Sequence, residues 1–182
     1  MNKIKNTTIL ACKKDKTVAI ASDGQATLGD AILKHGTKKV RLLDEGRVAV
    51  GFAGSTADAI KLTDMFEKKL NAYPEQFVKA AVELATDWRQ DKVLRRLEAS
   101  LLATNGTKIL LLSGSGDIIE PDDDVMGIGS GANYAIAAGR ALLNNTKLSA
   151  KKIVQKSMEI AGDLCVYSNK NITLLEVSEY GE

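Results

Sequence analysis

Residues Thr7 to Gln25, TTILACKKDKTVAIASDGQ, leave this chain the least structural freedom. Ile9 and Ala11, then Val18 and Ile20, fall at alternating positions, the period of half-buried strands. Lys13 to Lys16, with Asp15 inside, supplies a polar turn between them. Asp23-Gly24 ends the second strand with a pair that tolerates unusual backbone angles. A hairpin is therefore predicted, with two adjacent threonines at its start and a carboxylate at its end. Ahead of Thr7 stands MNKIKN, a polar, basic hexapeptide too short to form an element of its own. Were it removed, Thr7 would carry a free α-amine beside its own hydroxyl. Such an amine has a pKa of about 8, so near neutral pH it can accept the hydroxyl proton as the threonine attacks. This chemistry needs no histidine, and the one histidine, His35, lies in a polar, loop-like stretch.

The size of 182 residues predicts one domain with a substantial core. We divide it into a short propeptide, residues 1–6, and a single domain, residues 7–182. A formal charge of +2, with no basic stripe interleaved with aromatics, argues against nucleic acid. No apolar run reaches the length of a membrane span, and the N-terminal hexapeptide lacks the apolar core of a secretory signal. A cytoplasmic protein is expected. Cys12 and Cys165, far apart and in no C-x-x-C pair, read as two buried thiols rather than a disulfide.

Further along, Lys39–Leu43 and Arg47–Ala53 form a second predicted hairpin around Asp44-Glu-Gly46. Ser55-Thr-Ala-Asp58 has capping-box spacing and opens a helix with the stripe Ala59, Leu62, Phe66 and Leu70, stopped at Tyr73-Pro74. A second helix carries Phe77, Ala81, Leu84 and Trp88, and its pattern continues through Leu94 and Leu97. Strands return at Ser100–Thr104 and Lys108–Leu112 around Asn105-Gly106, at Ile118-Ile119 and at Asp124–Ile128. Ser130 or Asn133 opens a small-residue helix through Leu143. Ser149 caps another with Ile153, Ile160, Ala161 and Leu164 inward, and Ile172–Val177 is a final strand. Strands come in groups and helices in consecutive pairs, which predicts an α+β fold: two antiparallel sheets face to face with a helix pair on each outer side.

Gly127-Ile-Gly-Ser-Gly-Ala132 formally matches a dinucleotide fingerprint, but its helix leads to another helix, and no acidic residue ends a second strand some twenty residues on. Nothing matches a P-loop or a G-x-S-x-G elbow, so no nucleotide is expected on this chain. Pro121-Asp-Asp-Asp124 reads as a solvated acidic turn, since no histidine or cysteine accompanies it.

Six blocks in order, TTI, SDGQATLG, KKVR, GFAGSTAD, DWRQDKVLRRLEA and GIGSG, resemble the HslV (ClpQ) family of bacterial proteasome-like peptidases. The resemblance runs from Thr7 to about Val177. It implies the αββα sandwich of N-terminal-nucleophile hydrolases and a threonine endopeptidase acting on unfolded proteins. It also implies two stacked six-membered rings, fed by rings of the ATPase HslU (ClpY). The site residues it implies are Thr7 as nucleophile, Asp23 and Lys39 as the charge pair beside it, Gly51 as the oxyanion N–H donor and Ser130 as a polar neighbour. It further implies a sodium ion held by main-chain carbonyls of Gly162, Cys165 and Ser168. Many members have only a methionine before the threonine, whereas six residues precede Thr7 here. Cleavage of a propeptide, a different translation start, or an inactive chain each fits that departure. Two other classes stay open on the residues alone: a small-amide hydrolase sharing Thr7, and a non-catalytic ring subunit.

Overall fold

The computed structural model describes residues 7–28, 31–54, 56–92, 99–113 and 115–179. The propeptide assigned to 1–6, the cap at Ser55 and the helical continuation through Leu94 and Leu97 lie outside the described residues.

The first hairpin forms as its alternation demands. Strands β1 (Thr8–Lys14) and β2 (Thr17–Ser22) pair antiparallel, Ile9 opposite Ser22 and Lys14 opposite Thr17. Asp15 turns between them with a φ of 54°, which its short polar side chain tolerates. A second, two-stranded hairpin follows, β3 (Ala26–Leu28) and β4 (Ala31–Lys34). Strands β5 (Val40–Leu43) and β6 (Val48–Ala53) flank a tight turn in which Asp44, Glu45 and Gly46 all have positive φ. Helices α1 (Thr56–Ala72) and α2 (Phe77–Gln90) come next. Strands β7 (Ser100–Thr104), β8 (Ile109–Ser113), β9 (Ile118–Ile119) and β10 (Val125–Gly129) precede α3 (Ala132–Asn145) and α4 (Ala150–Leu164), and β11 (Thr173–Ser178) closes the order.

Two main sheets result, ordered β10-β1-β2-β11 and β5-β6-β7-β8-β9. Period-2 alternation sorts each strand between two cores. Ile9, Ala11, Val18 and Ile20 turn inward to meet Val40, Ala49, Leu102 and Ile109 between the sheets. Their neighbours Leu10, Cys12, Ala19 and Ala21 face outward under Ala135, Ile153, Val154, Met158 and Ala161 of α3 and α4. On the far side, Val48, Val50, Phe52, Leu101 and Leu110 pack under Leu62, Phe66, Leu84 and Trp88 of α1 and α2. The layers are therefore α, β, β, α, the sandwich expected from the grouped strands and paired helices.

Local expectations fail in three places. The β3–β4 hairpin was not legible, because its strands are short and its side chains Leu28, Ile32 and Leu33 are exposed. Helix α3 is opened by Gly131 with no side-chain cap, so neither Ser130 nor Asn133 serves there. In α4, Ile153 and Ala161 are buried as expected, but Ile160 is 41% and Leu164 59% exposed. Ser149 does cap α4, its hydroxyl accepting from the Lys152 N–H.

Candidate active site

Thr7 sits one residue before β1, the second strand of its sheet, and its backbone is gripped from the β10 side. Its carbonyl accepts the Ser130 N–H at 2.7 Å. A Cβ on Gly129 would stand 1.8 Å from that same carbonyl oxygen, so only glycine lets the two chains approach this closely. Thr8 is committed to structure: it is fully buried and its hydroxyl accepts the Gly131 N–H at 3.0 Å. The neighbouring threonines thus divide their roles, Thr8 holding the glycine turn and Thr7 facing a cleft.

That cleft, about 80 Å³, is lined by Thr7, Lys39, Val50, Phe52, Gly54 and Thr63 among others. Asp23 lies behind it with no solvent exposure. One carboxylate oxygen accepts the Thr8 N–H at 2.8 Å and the Lys39 ammonium at 2.8 Å, and the other accepts the Gln25 N–H at 2.9 Å. Lys39 also donates to the Gln25 carbonyl at 2.6 Å. A buried carboxylate without such partners would be prohibitively costly; here both oxygens are met, by two backbone N–H groups and the Lys39 ammonium. Burial pushes the Lys39 ammonium below the ordinary lysine value, and the Asp23 carboxylate and its hydrogen bond pull it partly back up. The result is a cation held in a dry wall of the Thr7 cleft, where its field acts on nearby groups with little screening.

The structure brings Thr7, Asp23, Lys39 and the Ser130 backbone together. Ser130 contributes its N–H to Thr7, while the residue itself is exposed. Gly51 is a correction. It lies inside β6, paired with Val40 on one side and Leu102 on the other. The Phe52 N–H reaches Lys39 O toward β5, so by alternation the Gly51 N–H points into the ladder with β7. A Cβ there would meet the Ile9 side chain at 2.7 Å, so this glycine serves close sheet packing. The glycine that lines the Thr7 cleft is Gly54, just beyond the last β6 pair, Ala53 with Ser100, at a φ of 150°. The same GFAGSTAD block contains both glycines, and the strand boundary tells them apart.

The three residues implied as cation ligands follow one another around the end of α4. Cys165 closes the helix, and the Ser168 N–H donates to Cys165 O at 3.0 Å. Gly162 belongs to the last helical turn, whose carbonyls have no acceptor role left within the helix. The Ser168 hydroxyl is buried and meets no hydrogen-bond partner among the described residues. Neutral carbonyl oxygens are hard donors suited to an alkali cation, so this donor set fits sodium. No cluster of three or more histidine, cysteine or acidic side chains occurs among the described residues. Both cysteines are free and buried. A larger cavity of about 410 Å³ lies at the far end of the second sheet. Asp44 and Arg47 on its wall pair with each other, and none of the residues of the Thr7 constellation reaches it.

A threonine one residue ahead of a strand, backed by a buried lysine–aspartate pair in an αββα sandwich, is the arrangement of the N-terminal-nucleophile hydrolases. The proteasome subunit family matches residues 4–177, and the chain belongs to that family. Within it, the relatives are ATP-dependent protease subunits named HslV. The one from Sulfurihydrogenibium sp. is 55% identical over 177 residues, covering 97% of this chain and 99% of its own. The one from Thermoanaerobacter sp. is 55% identical over 171 residues, covering 93% and 97%. The crystal structure of HslV from Trypanosoma brucei superposes with a TM-score of 0.89 at 42% identity, over 94% of this chain and 99% of that one. No described helix is long and apolar enough to cross a membrane.

Proposed function

We propose that this chain is the peptidase subunit of a two-component, ATP-dependent protease and that Thr7 is its N-terminal nucleophile. The observation that carries this reading is the shared cleft: Thr7 and the buried Lys39 line the same small cavity, with Asp23 behind them. In the active form Thr7 carries a free α-amine, residues 1–6 having been removed. Its hydroxyl oxygen attacks the scissile carbonyl carbon while the amine takes the hydroxyl proton. The Lys39 charge favours the unprotonated amine and the developing alkoxide. Backbone at Gly54 faces the oxyanion, a contribution often worth about 3 kcal/mol. Collapse expels the substrate amine, which takes the proton back from the Thr7 ammonium and leaves an ester on Thr7. Water, deprotonated by the same amine, then opens the ester and frees the acid product.

The same reading assigns energy coupling to a separate ring ATPase of the HslU type, since no nucleotide motif occurs in this sequence. It assigns self-association into two stacked hexamers, supported by apolar side chains left in water at Ile32, Leu33, Leu164 and Val166. Unfolded proteins are the substrates, the cytoplasm the compartment, and sodium on the Gly162, Cys165 and Ser168 carbonyls the ion that stiffens the turn after α4.

The test is a pair of substitutions read with intact mass. Thr7→Ala abolishes hydrolysis of small peptides and leaves assembly unchanged, whereas Thr8→Ala disturbs the glycine turn. Activity retained in Thr7→Ala and lost in Thr8→Ala would move the nucleophile by one residue. A fully active species that still carries Met1 would sink the amine as base. Lys39→Ala slows the loss of the hexapeptide, because attack of Thr7 on the Asn6 carbonyl draws on the same charge. Degradation of a folded protein by this chain alone, without ATP, would contradict the two-component assignment.

A further inference from the structure

We propose that Gln25 is a positioning residue that sets the Lys39 ammonium by tying the turn after α4 to the segment leaving β2. This deepens the proposed function and rests on it for the catalytic consequences.

Residues 23–25 follow the end of β2; backbone bonds persist from the Asp23 N–H to Thr8 O at 3.1 Å and from the Thr37 N–H to Gly24 O at 2.8 Å. Side chains hold the rest. The Gly24 N–H donates to the Asn169 Oδ1 at 3.1 Å, and the Gln25 N–H to Asp23. Gln25 itself is 3% exposed. Its amide nitrogen donates to the Val166 carbonyl at 2.9 Å and to the Thr27 hydroxyl at 3.2 Å. A carbonyl can only accept, so its partner must be the nitrogen end of the amide, and both amide N–H groups are then used. The main-chain carbonyl of the same residue receives the Lys39 ammonium at 2.6 Å. One residue thus binds the α4–β11 turn with its side chain and the cleft lysine with its backbone.

An ammonium has three N–H directions at tetrahedral angles. Asp23 Oδ1 and Gln25 O fix two of them, which fixes the third. If the carboxamide loses its hold on Val166, the residue 25 carbonyl is free to drift from Nζ, and the charged lysine loses an acceptor. The charges near Nζ are Asp23 behind it and Lys38 and Arg41 in the same cleft; the α1 wall of Ala59, Ile60 and Thr63 brings none. Weakening an acceptor to the charged form lowers the lysine titration midpoint. A less persistent positive charge raises that of the Thr7 amine. The pH profile of kcat/KM therefore narrows from both sides: its acid limb moves up and its alkaline limb moves down.

The experiment uses the full chain with 13Cε-labelled lysine, the Lys39 signal being identified by its loss in Lys39→Arg. Gln25→Met keeps the length and removes the donor; Gln25→Asn keeps the amide and shortens its reach. Both lower the Lys39 midpoint, reduce kcat about tenfold and leave KM within about twofold, with the narrowed profile. A wild-type midpoint and superimposable profile in either folded variant overturns the proposal. If the midpoint falls but the wild-type chain hydrolyses no peptide, the positioning stands and the peptidase reading fails.

Discussion

The two halves of the sandwich are packed by different rules. Under α1 and α2 the core holds all three phenylalanines and the only tryptophan of the chain, Phe52, Phe66, Phe77 and Trp88, with leucines between them. Phe66 and Phe77 meet with centroids 6.2 Å apart in a tilted arrangement. Under α3 and α4 five of the eleven buried residues are alanines, Ala19, Ala21, Ala135, Ala150 and Ala161, and no aromatic among the described residues joins them. The half built of small residues carries the nucleophile. Small side chains let backbones come close, and close backbones let the Ser130 and Gly131 N–H groups grip Thr7 and Thr8. Large side chains supply the greater burial per residue and hence stability. The grip on Thr7 and Thr8 and the bulk of the core thus lie on opposite faces, while Val50, Phe52 and Thr63 of the bulky half form the facing wall of the cleft.

The strongest way to break this division is Gly129→Ala. At a φ of 94° with its Cβ pressed against backbone, the substitution cannot be absorbed by a side-chain movement. Peptidase activity falls to background, and refolding yield drops with it; an active Gly129→Ala protein would show that the close approach is dispensable. Next in size is Trp88→Ala, which costs about 3–5 kcal/mol by denaturant titration. Its activity per folded molecule stays at the wild-type level, since Trp88 lines neither the Thr7 cleft nor the glycine turn that grips Thr7. A loss of kcat larger than the loss of folded protein would mean that the halves are coupled.

How much of this division was legible in the sequence varies by feature. The β1–β2 hairpin announced itself because alternation, a polar turn and Asp23-Gly24 agreed. The stripe of Leu62, Phe66 and Leu70 was equally plain. The β3–β4 hairpin carried no such agreement, since exposed side chains impose no period. Ile160 and Leu164 keep the helical spacing yet stay exposed, so pattern alone buried them. Gly51 and Gly54 are indistinguishable until the end of β6 is known. Gln25 left no signal at all, because it acts through a carbonyl and an amide that any glutamine possesses.

The smallest effect comes from Cys12, the thiol buried in the small-residue core. Burial, aided by Asp124 and Asp123, pushes it from 9.0 up to about 12. Below pH 9 it contributes no pH dependence, because both folded and unfolded chains keep the proton. Above pH 9 the unfolded thiol ionises first, so stability falls by up to about 1.4 kcal/mol per pH unit until the folded thiol also ionises. Lys39, whose folded value is lowered, acts in the opposite sense over the window below 10.5. Cys12→Ala isolates the thiol: its stability at pH 10–11, followed by Trp88 fluorescence, declines less steeply than that of the wild type. Equal slopes would remove the thiol as the cause. Coincidence of the fluorescence and activity losses would show the two halves unfolding as one cooperative unit.

The order β10-β1-β2-β11 has a consequence for synthesis. The first hairpin leaves the ribosome early, yet its two flanking strands come from the last third of the chain, Thr8 meeting Gly129 and Ser22 meeting Thr173. Pairings so distant in sequence are slow and late events in folding. A growing chain therefore carries the threonine and the aspartate long before it holds the glycine turn or the loop that anchors Gln25. The strand order thus delays completion of the peptide-cutting site until the last third of the chain is made, a safeguard separate from the hexapeptide that precedes Thr7.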